Sequence, residues 1–288
     1  MLLALGVFYI VRAVVGASQV RRDDTLVIGY DGRPQAGLGQ NYLVVSDSTT
    51  NRTDVVMLVH LNQARDQVYL VSLPRNLYVS VDGRSTRLQD IPTGTGALLR
   101  TVETVVGARI DHVARVDING FVGLTEALGG VVVNNPYASQ TSSGIRFDKG
   151  DITIKGETAL AFVGDDSPIR NRDAVLAERQ RSVLRAVVLK VLRPETLANP
   201  ATFNSVVGDL TKFVTVDSGV TNAVMWDLAS SIRLAGSEDV LAAQPPVKGV
   251  SSTASGDPIT LLDSAKAAEL GAALRGDTMQ DYRSRFPA

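Results

Sequence analysis

The chain has 288 residues, of which 44% are hydrophobic and 20% charged, and its 29 basic and 30 acidic residues give a formal net charge of -1. This composition excludes extensive disorder and is typical of one large domain or two small ones. Because cysteine is absent, thiol catalysis, disulfides and cysteine-ligated metal centres are excluded. The balanced charge provides no general positive field, so we expect no nucleic-acid partner.

The amino-terminal segment is apolar enough to interact with a membrane. Met1–Val20 contains one charged residue, Arg12, and is about long enough for a spanning helix, which needs roughly 20 residues. Arg21 and Arg22 follow it directly. We interpret residues 1–22 as a transmembrane or membrane-anchor segment. A buried helix at the edge of the domain is the alternative, because a central arginine costs about 2.5–3.5 kcal/mol on insertion scales.

The next segment, residues 23–40, is polar and rich in glycine and proline, which predicts a linker or loop. Strands are predicted over 41–45, 55–61 and 68–73. The last two are expected to form an antiparallel hairpin, since a polar turn separates two apolar runs. Pro74 ends the third strand.

Helices and strands alternate through the rest of the chain. Further strands are predicted over 110–116, 131–133, 240–244 and 260–262, and helices over 97–106, 119–128, 156–163, 173–192, 202–213, 221–234 and 263–274. This interleaving predicts an α/β fold with a mixed central sheet and helices on both faces. We expect residues 41–288 to form one domain of this kind.

Two carboxylates are candidates for a metal site. Asp47 and Asp54 flank the loop between the first two predicted strands of this domain. Carboxylates at the two ends of one loop can converge on a divalent cation, and Mg²⁺ is commonly held by one or two carboxylates together with substrate phosphates. The alternative is that both aspartates cap turns by accepting hydrogen bonds from nearby backbone N–H groups.

Three further residues could bind an anion. Arg75 follows the end of a predicted strand, where α/β sheets place their sites, although an ordinary surface arginine is the alternative. Arg179 and Gln180 fall on or beside the apolar stripe of the predicted helix over 173–192. Because a buried charge is costly unless paired, Arg179 either pairs with a buried carboxylate or reaches an anion in a cleft. His60 and His112 are expected to be structural.

Several motifs in order resemble the LytR–CpsA–Psr family of cell-wall enzymes. The similarity runs from about residue 41 to residue 192. Its most specific part is ARIDHVARVDINGFVGLTEALGGVVVNNP, and the other matching segments are NYLVVSDS, NRTDVVMLVHLN, VYLVSLPRN, FDKGDITIKGETALAFV and AERQRSVLRAV.

The resemblance implies an extracytoplasmic domain behind a single membrane span. It also implies transfer of a phosphorylated glycopolymer from a polyprenyl-pyrophosphate carrier to peptidoglycan, with Mg²⁺ as cofactor and membrane lipid as a partner. By this similarity, Asp47 and Asp54 surround the metal and pyrophosphate, while Arg75, Arg179 and Gln180 contact the substrate. We further expect Arg75 and Arg179 to point into one cleft.

The chain departs from the family pattern at positions that usually carry arginine. Gly164, Asp166 and Leu176 stand there instead, and Arg170 and Arg172 are candidate replacements for substrate binding. The missing arginines favour the first of two alternatives to an active transferase, and both alternatives stay open. One is a non-catalytic paralogue that binds polyprenyl lipid or wall polymer, and the other is a pyrophosphatase that acts on the same lipid.

Overall fold

The computed structural model describes residues 19–47, 53–92, 96–164, 172–191 and 214–287, together with Gly208 and Thr211. The chain divides into two compact units. The first comprises residues 1–22, 116–216 and 220–230, and the second comprises residues 23–115, 217–219 and 231–288. The segment 1–18 and most of the predicted helix over 202–213 lie outside the described residues.

The elements follow the predicted α/β alternation. The strands are β1 (Arg21–Asp23), β2 (Gln40–Asp47), β3 (Thr53–Leu61), β4 (Val68–Leu73), β5 (Leu77–Val81), β6 (Arg84–Arg87), β7 (His112–Val116), β8 (Val131–Asn135), β9 (Ser139–Gln140), β10 (Arg146–Phe147), β11 (Gly150–Ile154), β12 (Val214–Asp217), β13 (Val240–Ala242), β14 (Val247–Ser252) and β15 (Pro258–Leu262). The helices are α1 (Gly96–Val106), α2 (Ile118–Ala127), α3 (Gly156–Val163), α4 (Arg172–Val191), α5 (Asn222–Ser231), α6 (Ser264–Gly276) and α7 (Met279–Arg285). None of these helices is both long and apolar enough to cross a membrane.

A mixed sheet forms the centre of the second unit. Its strand order there is β7-β2-β3-β4-β13, in which β2, β3 and β4 are antiparallel neighbours and β13 runs parallel to β4. Every residue of β4 is buried, as a strand covered on both faces requires. The predicted strands over 41–45, 55–61 and 68–73 and their antiparallel pairing are confirmed.

One face of this sheet packs on α1, α6 and α7. Alternate residues of β2, β3 and β4, including Leu43, Leu58 and Val71, join a buried cluster with Val102 of α1 and Leu270 of α6. The period of two along the strands and the apolar stripe of α1 place these side chains in one core. The core fixes the sheet, and therefore the positions at which its strands end.

A second sheet in this unit was not predicted. Its order is β14-β15-β5-β6, and the β5–β6 hairpin turns at Asp82 and Gly83, which both have positive φ. Asp-Gly is a strong signal for such a tight hairpin turn. The strand predicted over 260–262 is β15, whereas β5 and β6 were missed because β5 is short and β6 consists of the polar residues RSTR.

The segment over 23–40 has no helix, as predicted, but it packs closely within the second unit. Leu26 lies in the buried cluster, and the Tyr30 hydroxyl donates to the Glu103 carboxylate at 2.6 Å. Arg33 forms an ion pair with the same carboxylate at 3.0 Å. This buried carboxylate therefore holds the segment on α1, which makes it an ordered loop.

The first unit is built on a two-stranded ribbon of β8 and β11 and the helices α2, α3 and α4. Val131 and Ile154, which are paired across the ribbon, pack with Phe162 of α3 and Val183 of α4. The predicted helices over 119–128, 156–163 and 173–192 are confirmed to within one residue at each end.

Candidate active site

The two candidate carboxylates lie at the same end of the β2–β3 hairpin. Ser46 pairs with Val55 and Asp47 pairs with Thr53, so Asp54 is the unpaired extra residue of a β-bulge next to the Asp47–Thr53 pair. Bulges occur frequently beside active sites because they re-aim a side chain. The side chains of Asp47 and Asp54 lie outside the described part of the chain, so their placement here is that of the backbone.

Arg75 lies at this same end of the sheet. Leu73, the last residue of β4, pairs with Val56 of β3, so Asp54 and Arg75 each lie two residues beyond that pair, in the same direction along the sheet. The half-buried Arg75 follows Pro74, which ends the strand. The strand register therefore brings Asp47, Asp54 and Arg75 to one end of the sheet.

Hydrogen bonds on both sides hold the turn that carries Arg75. The Gln89 N–H donates to the Arg75 carbonyl at 2.7 Å. The buried Asn76 next to it accepts a hydrogen bond from the Thr260 hydroxyl at 2.8 Å, and its carbonyl accepts from the Thr260 N–H at 3.0 Å. Because these bonds join the turn to β15, Arg75 is attached to a preorganised backbone.

Arg179 of α4 is completely buried in the first unit, at 0% exposure. One of its terminal amino groups donates to the Ser139 hydroxyl at 2.8 Å, the Asn135 amide oxygen at 3.3 Å and the Tyr137 carbonyl at 3.3 Å. The other donates to the Phe162 carbonyl at 3.5 Å. These four acceptors are neutral groups. Through them the guanidinium connects α4 to α3, to the end of β8, to the start of β9 and to the residue Tyr137 between these strands.

Two aromatic rings complete the surroundings of Arg179. The guanidinium carbon lies 4.5 Å from the ring centroid of Phe162 and 5.6 Å from that of Phe147, and the two rings meet edge to face. Cation–π contacts of this kind offset part of the cost of burying the charge. Gln180, the adjacent predicted residue, is half-buried and donates to the Val163 carbonyl at 3.4 Å.

The remaining candidates are only partly described. Arg170 lies outside the described residues, and Arg172 begins α4 but its side chain is outside them. Their role as replacement arginines stays a prediction. Because Arg75 and Arg179 belong to different units, the expectation that they share a cleft also stays a prediction.

Two of the positions where the family usually has arginine differ strongly in exposure. Gly164 ends α3, is exposed, and has a φ of -111°, which any residue can adopt. A Cβ atom built there would meet only the Leu160 carbonyl oxygen, at 3.4 Å. Leu176, by contrast, is buried on α4. An arginine can therefore be accommodated at Gly164 without repacking, whereas Leu176 has become part of the interior.

Both histidines contact polar side chains within the second unit. The ring nitrogens of the fully buried His60 lie 2.8 Å from the Asn41 amide oxygen and 3.0 Å from the Asp277 carboxylate. His112 lies 3.2 Å from the carboxylate of Asp217. Burial alone would raise the pKa of Asp217, but hydrogen bonds from His112 and from backbone N–H groups more than offset it and hold this pKa below its usual 3.8.

Within the described residues, no group of three or more histidine, cysteine, aspartate or glutamate side chains is arranged to hold a metal ion. That statement does not extend to Asp47 and Asp54, whose side chains are not described. Sequence reasoning found these two positions but missed the acceptors of Arg179. Asn135, Tyr137 and Ser139 carry no catalytic pattern, and only the packing of α4 against β8 brings them to the guanidinium.

Comparison with known proteins shows the family to which the chain belongs. The sequence model of the LytR_cpsA_psr family matches residues 17–275. The chain belongs to this family. The match extends well beyond the residues 41–192 on which the resemblance rests and includes both compact units.

Named relatives in this family act on the cell wall. The chain is 26% identical over 282 residues to the cell wall biosynthesis protein LcpA of Corynebacterium glutamicum, covering 83% of this chain and 53% of that protein. It is 27% identical over 193 residues to the polyisoprenyl-teichoic acid–peptidoglycan teichoic acid transferase TagU of Bacillus subtilis, covering 65% and 60%. The chain thus spans only part of the length of these relatives.

Solved structures of LytR_cpsA_psr proteins share the fold. The crystal structure of Bacillus subtilis TagV matches with a TM-score of 0.66 at 19% identity, covering 85% of this chain and 97% of that one. A LytR-Csp2A-Psr enzyme from Actinomyces oris matches with a TM-score of 0.66 at 21% identity, covering 88% and 96%. TagT bound to LIIa-WTA matches with a TM-score of 0.62 at 20% identity, covering 90% and 97%. These similarities confirm the predicted α/β fold with its mixed sheet.

Proposed function

We propose that this LytR_cpsA_psr protein is a phosphotransferase that moves a phosphorylated glycopolymer from a polyprenyl-pyrophosphate carrier to peptidoglycan. The names of its relatives support this, since TagU is a teichoic acid transferase that uses a polyisoprenyl carrier and peptidoglycan. The single observation that carries the proposal is the strand register. Asp47 is the last residue of β2, Asp54 is the second residue of β3, and Arg75 follows the end of β4, all at one end of the central sheet.

The residue types at this end of the sheet fit a magnesium ion. Asp47 and Asp54 offer oxygen ligands only, and Mg²⁺ prefers oxygen ligands and is commonly bound through one or two carboxylates together with substrate phosphates. The bulge at Asp54 lies next to the pair of Asp47 and Thr53, so the two aspartates are neighbours across the hairpin backbone. When bound, Mg²⁺ supplies positive charge that stabilises the pyrophosphate oxygens.

The reaction is a displacement at the phosphorus that carries the glycopolymer. A hydroxyl oxygen of peptidoglycan forms the new phosphorus–oxygen bond, and the bond from that phosphorus to the bridging oxygen breaks. The bridging oxygen leaves with the polyprenyl phosphate, and the hydroxyl proton is released. Negative charge grows on the leaving phosphate, so a fixed arginine beside it lowers the barrier.

Arg75 is the residue we assign to this role. Its guanidinium offers a planar fork of donors that matches phosphate oxygens. The hydrogen bonds that join its turn to Gln89 and Thr260 hold the backbone in place before substrate binds. Binding energy is then not consumed in ordering the loop.

Arg179 is proposed to act on the substrate as well, with Gln180 beside it. Its described partners include Asn135, Tyr137 and Ser139, so a pyrophosphate oxygen that contacts the guanidinium must displace or share one of these bonds. Arg170 and Arg172 are proposed as further cations for the same pyrophosphate. They would replace the positive charge that the family usually carries at Gly164 and Asp166.

We also propose that residues 1–22 anchor the chain in the cell membrane by a single span and leave the main domain extracytoplasmic. The apolar sequence from Met1 to Val20 supports this placement. A membrane-bound enzyme meets its lipid carrier in two dimensions, where the pyrophosphate lies at the bilayer surface. The carrier, peptidoglycan and membrane lipid are then the partners.

One alternative has a specific observation in its favour. Leu176 is buried, so no arginine can be present there without repacking α4, and a lost charged hydrogen bond costs about 1.5–3 kcal/mol. A paralogue that binds polyprenyl lipid or wall polymer without catalysis would tolerate this loss. A pyrophosphatase on the same lipid is the variant in which water replaces the sugar hydroxyl.

The test is turnover by the full chain in detergent or vesicles. Purified protein is incubated with a synthetic polyprenyl-pyrophosphate glycan, with and without peptidoglycan fragments and Mg²⁺. The transferase account predicts release of polyprenyl phosphate that requires both additions. Release that does not depend on the acceptor indicates a pyrophosphatase, and binding without release indicates the non-catalytic paralogue.

A further inference from the structure

The first unit presents an exposed tryptophan beside the end of the apolar amino-terminal sequence. Trp226 lies on α5, has 48% of its surface exposed, and is the only tryptophan of the chain. We propose that Trp226 and the exposed face of α5 dock on the surface of the lipid bilayer. This inference rests on the membrane anchoring proposed above, but it adds a contact made by the folded domain itself.

The first observation is a direct connection between the apolar segment and α5. Arg22 donates through Nε to the Val220 carbonyl at 3.0 Å, and through a terminal amino group to the Asn222 amide oxygen at 2.6 Å. Val220 precedes the helix and Asn222 is its first residue. The chain is therefore attached to the start of α5 two residues after Val20, where its apolar sequence ends.

The second observation is that Trp226 shares the helix face to which Arg22 is bound. Residues four apart are neighbours on one side of a helix, so Asn222 and Trp226 lie one above the other. At 1.5 Å of rise per residue, Trp226 is about 6 Å along the helix from Asn222. Thr221 caps this end of the helix by accepting the Val224 N–H at 3.2 Å, which fixes the geometry.

This separation matches the thickness of the layer that tryptophan prefers. A bilayer has a hydrocarbon core of about 30 Å and a total thickness of about 40–45 Å, so each headgroup layer is roughly 5–8 Å thick. If the apolar sequence ends at the edge of the core, Trp226 lies about 6 Å along α5 from the attached residue Asn222, a distance no greater than the thickness of that layer, and so stays within its reach. Tryptophan is enriched there because its ring is apolar and its N–H needs a polar partner.

The composition of the exposed face fits shallow contact. Its exposed residues are Asn222, Ala223, Trp226, Asp227 and Ser230. One large aromatic ring among small and polar side chains can enter the headgroup layer, but it cannot support deep insertion into the hydrocarbon. Arg22 is hydrogen-bonded to the start of this helix, and Arg21 precedes it in the chain. Positive charge at this position suits the anionic phosphates of the same layer.

The experiment uses the intrinsic fluorescence of Trp226 in the full chain, reconstituted into vesicles of phosphatidylglycerol and phosphatidylethanolamine. Flotation of the vesicles first shows whether the chain is bound to them. Emission is then compared between vesicles and detergent solution, and between lipids with bromine atoms near the headgroup and lipids with bromine atoms near the chain end. We expect emission at shorter wavelength in vesicles and about a twofold loss with the shallow bromines, since tryptophan resides at that depth.

Two variants control for other causes of quenching. Trp226→Phe removes the signal and gives the background. Trp226→Phe combined with Val132→Trp moves the reporter to β8, where Val132 is 60% exposed, and this reporter should be quenched by aqueous acrylamide rather than by bromolipid. Arg22→Ala, compared with Arg21→Ala, should weaken the bromolipid quenching of Trp226 while the chain still floats.

The outcomes separate this inference from the proposed function. If the chain floats and turns over its lipid carrier, yet Trp226 emits as in detergent solution and is insensitive to bromolipid, the docking inference is wrong and the transferase proposal is unaffected. If the chain does not float, the anchoring and the docking are both wrong. A shift of Trp226 emission that occurs only on adding peptidoglycan fragments also contradicts docking and identifies a glycan-binding face.

Discussion

The guanidinium of Arg179 lies over the ring of Phe162, with its central carbon 4.5 Å from the ring centroid, and also donates to the carbonyl of that residue at 3.5 Å. Phe162 is one residue from the end of α3, and Gly164 follows that end. Arg179 therefore fixes the part of the first unit where the chain departs from the family's arginine pattern. A residue with this many partners contributes to stability before any ligand binds.

The first prediction concerns that contribution. Arg179→Met keeps most of the side-chain volume but leaves Asn135, Tyr137 and Ser139 without their buried donor. We expect the free energy of unfolding to fall by about 1.5–3 kcal/mol, the usual value for losing hydrogen bonds to a charged group. Denaturant titration of the full chain measures this, and Gln180→Met, which removes one long hydrogen bond at the neighbouring position, should cost less.

A different result would change the assignment of Arg179. Unchanged stability together with lost binding of polyprenyl pyrophosphate would show that this arginine serves the ligand alone. Arg179→Lys should be measured together with Arg179→Met. Lysine keeps the charge but lacks the planar fork that reaches several acceptors at once. We expect Arg179→Lys to be destabilised too.

The second prediction concerns the carboxylates of the hairpin end. Asp47→Asn and Asp54→Asn keep the side-chain shape and remove the charge, so each should abolish Mg²⁺-dependent turnover while the thermal midpoint stays nearly unchanged. Asp66→Asn is the matched control, because Asp66 is an exposed carboxylate in the turn at the other end of β3. Unfolding of either hairpin variant, or undiminished metal dependence, would support turn capping instead.

The third prediction restores an arginine. Gly164 is exposed and its backbone is unstrained, so Gly164→Arg should fold normally. If the proposed pyrophosphate site lies near the end of α3, the new charge should tighten binding of polyprenyl pyrophosphate by about tenfold, which is the lower end of the 1.5–3 kcal/mol of a charged hydrogen bond. Gly164→Ala separates charge from helix propensity and should leave affinity unchanged; equal affinity in both variants would place the site elsewhere.

The fourth prediction is that the stability of the folded chain depends on pH through the Asp217 carboxylate in the second unit. The Asp217 carboxylate accepts from the Val113 N–H at 2.8 Å and the Gly219 N–H at 2.9 Å, and it faces His112. Its pKa is lowered in the folded protein, so the stability it contributes is present above the unfolded pKa and is lost as pH falls through the lower, folded pKa. Asp217→Asn should therefore cost about 1–3 kcal/mol at neutral pH.

The measurement for Asp217 is unfolding free energy between neutral pH and acid. The variant's curve should be flatter than that of the parent chain below about pH 4, since one linked proton has been removed. The exposed Asp66→Asn should leave the acid part of the curve as it is. If the free energy of unfolding falls equally with pH in the parent chain and in Asp217→Asn, Asp217 does not contribute to the acid sensitivity.

Much of the fold could be predicted because local patterns were strong. The apolar runs of β3 and β4, separated by a polar turn, predict a buried hairpin, and Gly107 and Pro74 mark the ends of elements. β6 could not be predicted, because a short polar strand at a sheet edge has no hydrophobic period. The order of the strands within each sheet could not be predicted either, because it depends on which strands pair in three dimensions.

In the candidate site, too, residue positions that depend on local sequence could be predicted, whereas contacts between distant segments could not. Asp47, Asp54 and Arg75 were found because they lie at predicted strand ends, where position follows from the strands themselves. The contacts of Arg179 with Asn135, Tyr137 and Ser139 could not be predicted, because these neutral acceptors lie about forty residues earlier in the chain. Helical periodicity placed Arg179 on the buried face but carried no information about its partners.

The most direct test of the account follows the phosphorus atom attached to the glycopolymer. A polyprenyl-pyrophosphate glycan labelled only at that phosphorus is incubated with the full chain, Mg²⁺ and peptidoglycan fragments, and the products are separated. The account predicts that the label becomes covalently bound to peptidoglycan and that unlabelled polyprenyl phosphate appears in equal amount, with neither product formed by Asp54→Asn. Label that is released as free glycan phosphate, or that stays on the lipid, would contradict transfer to the wall.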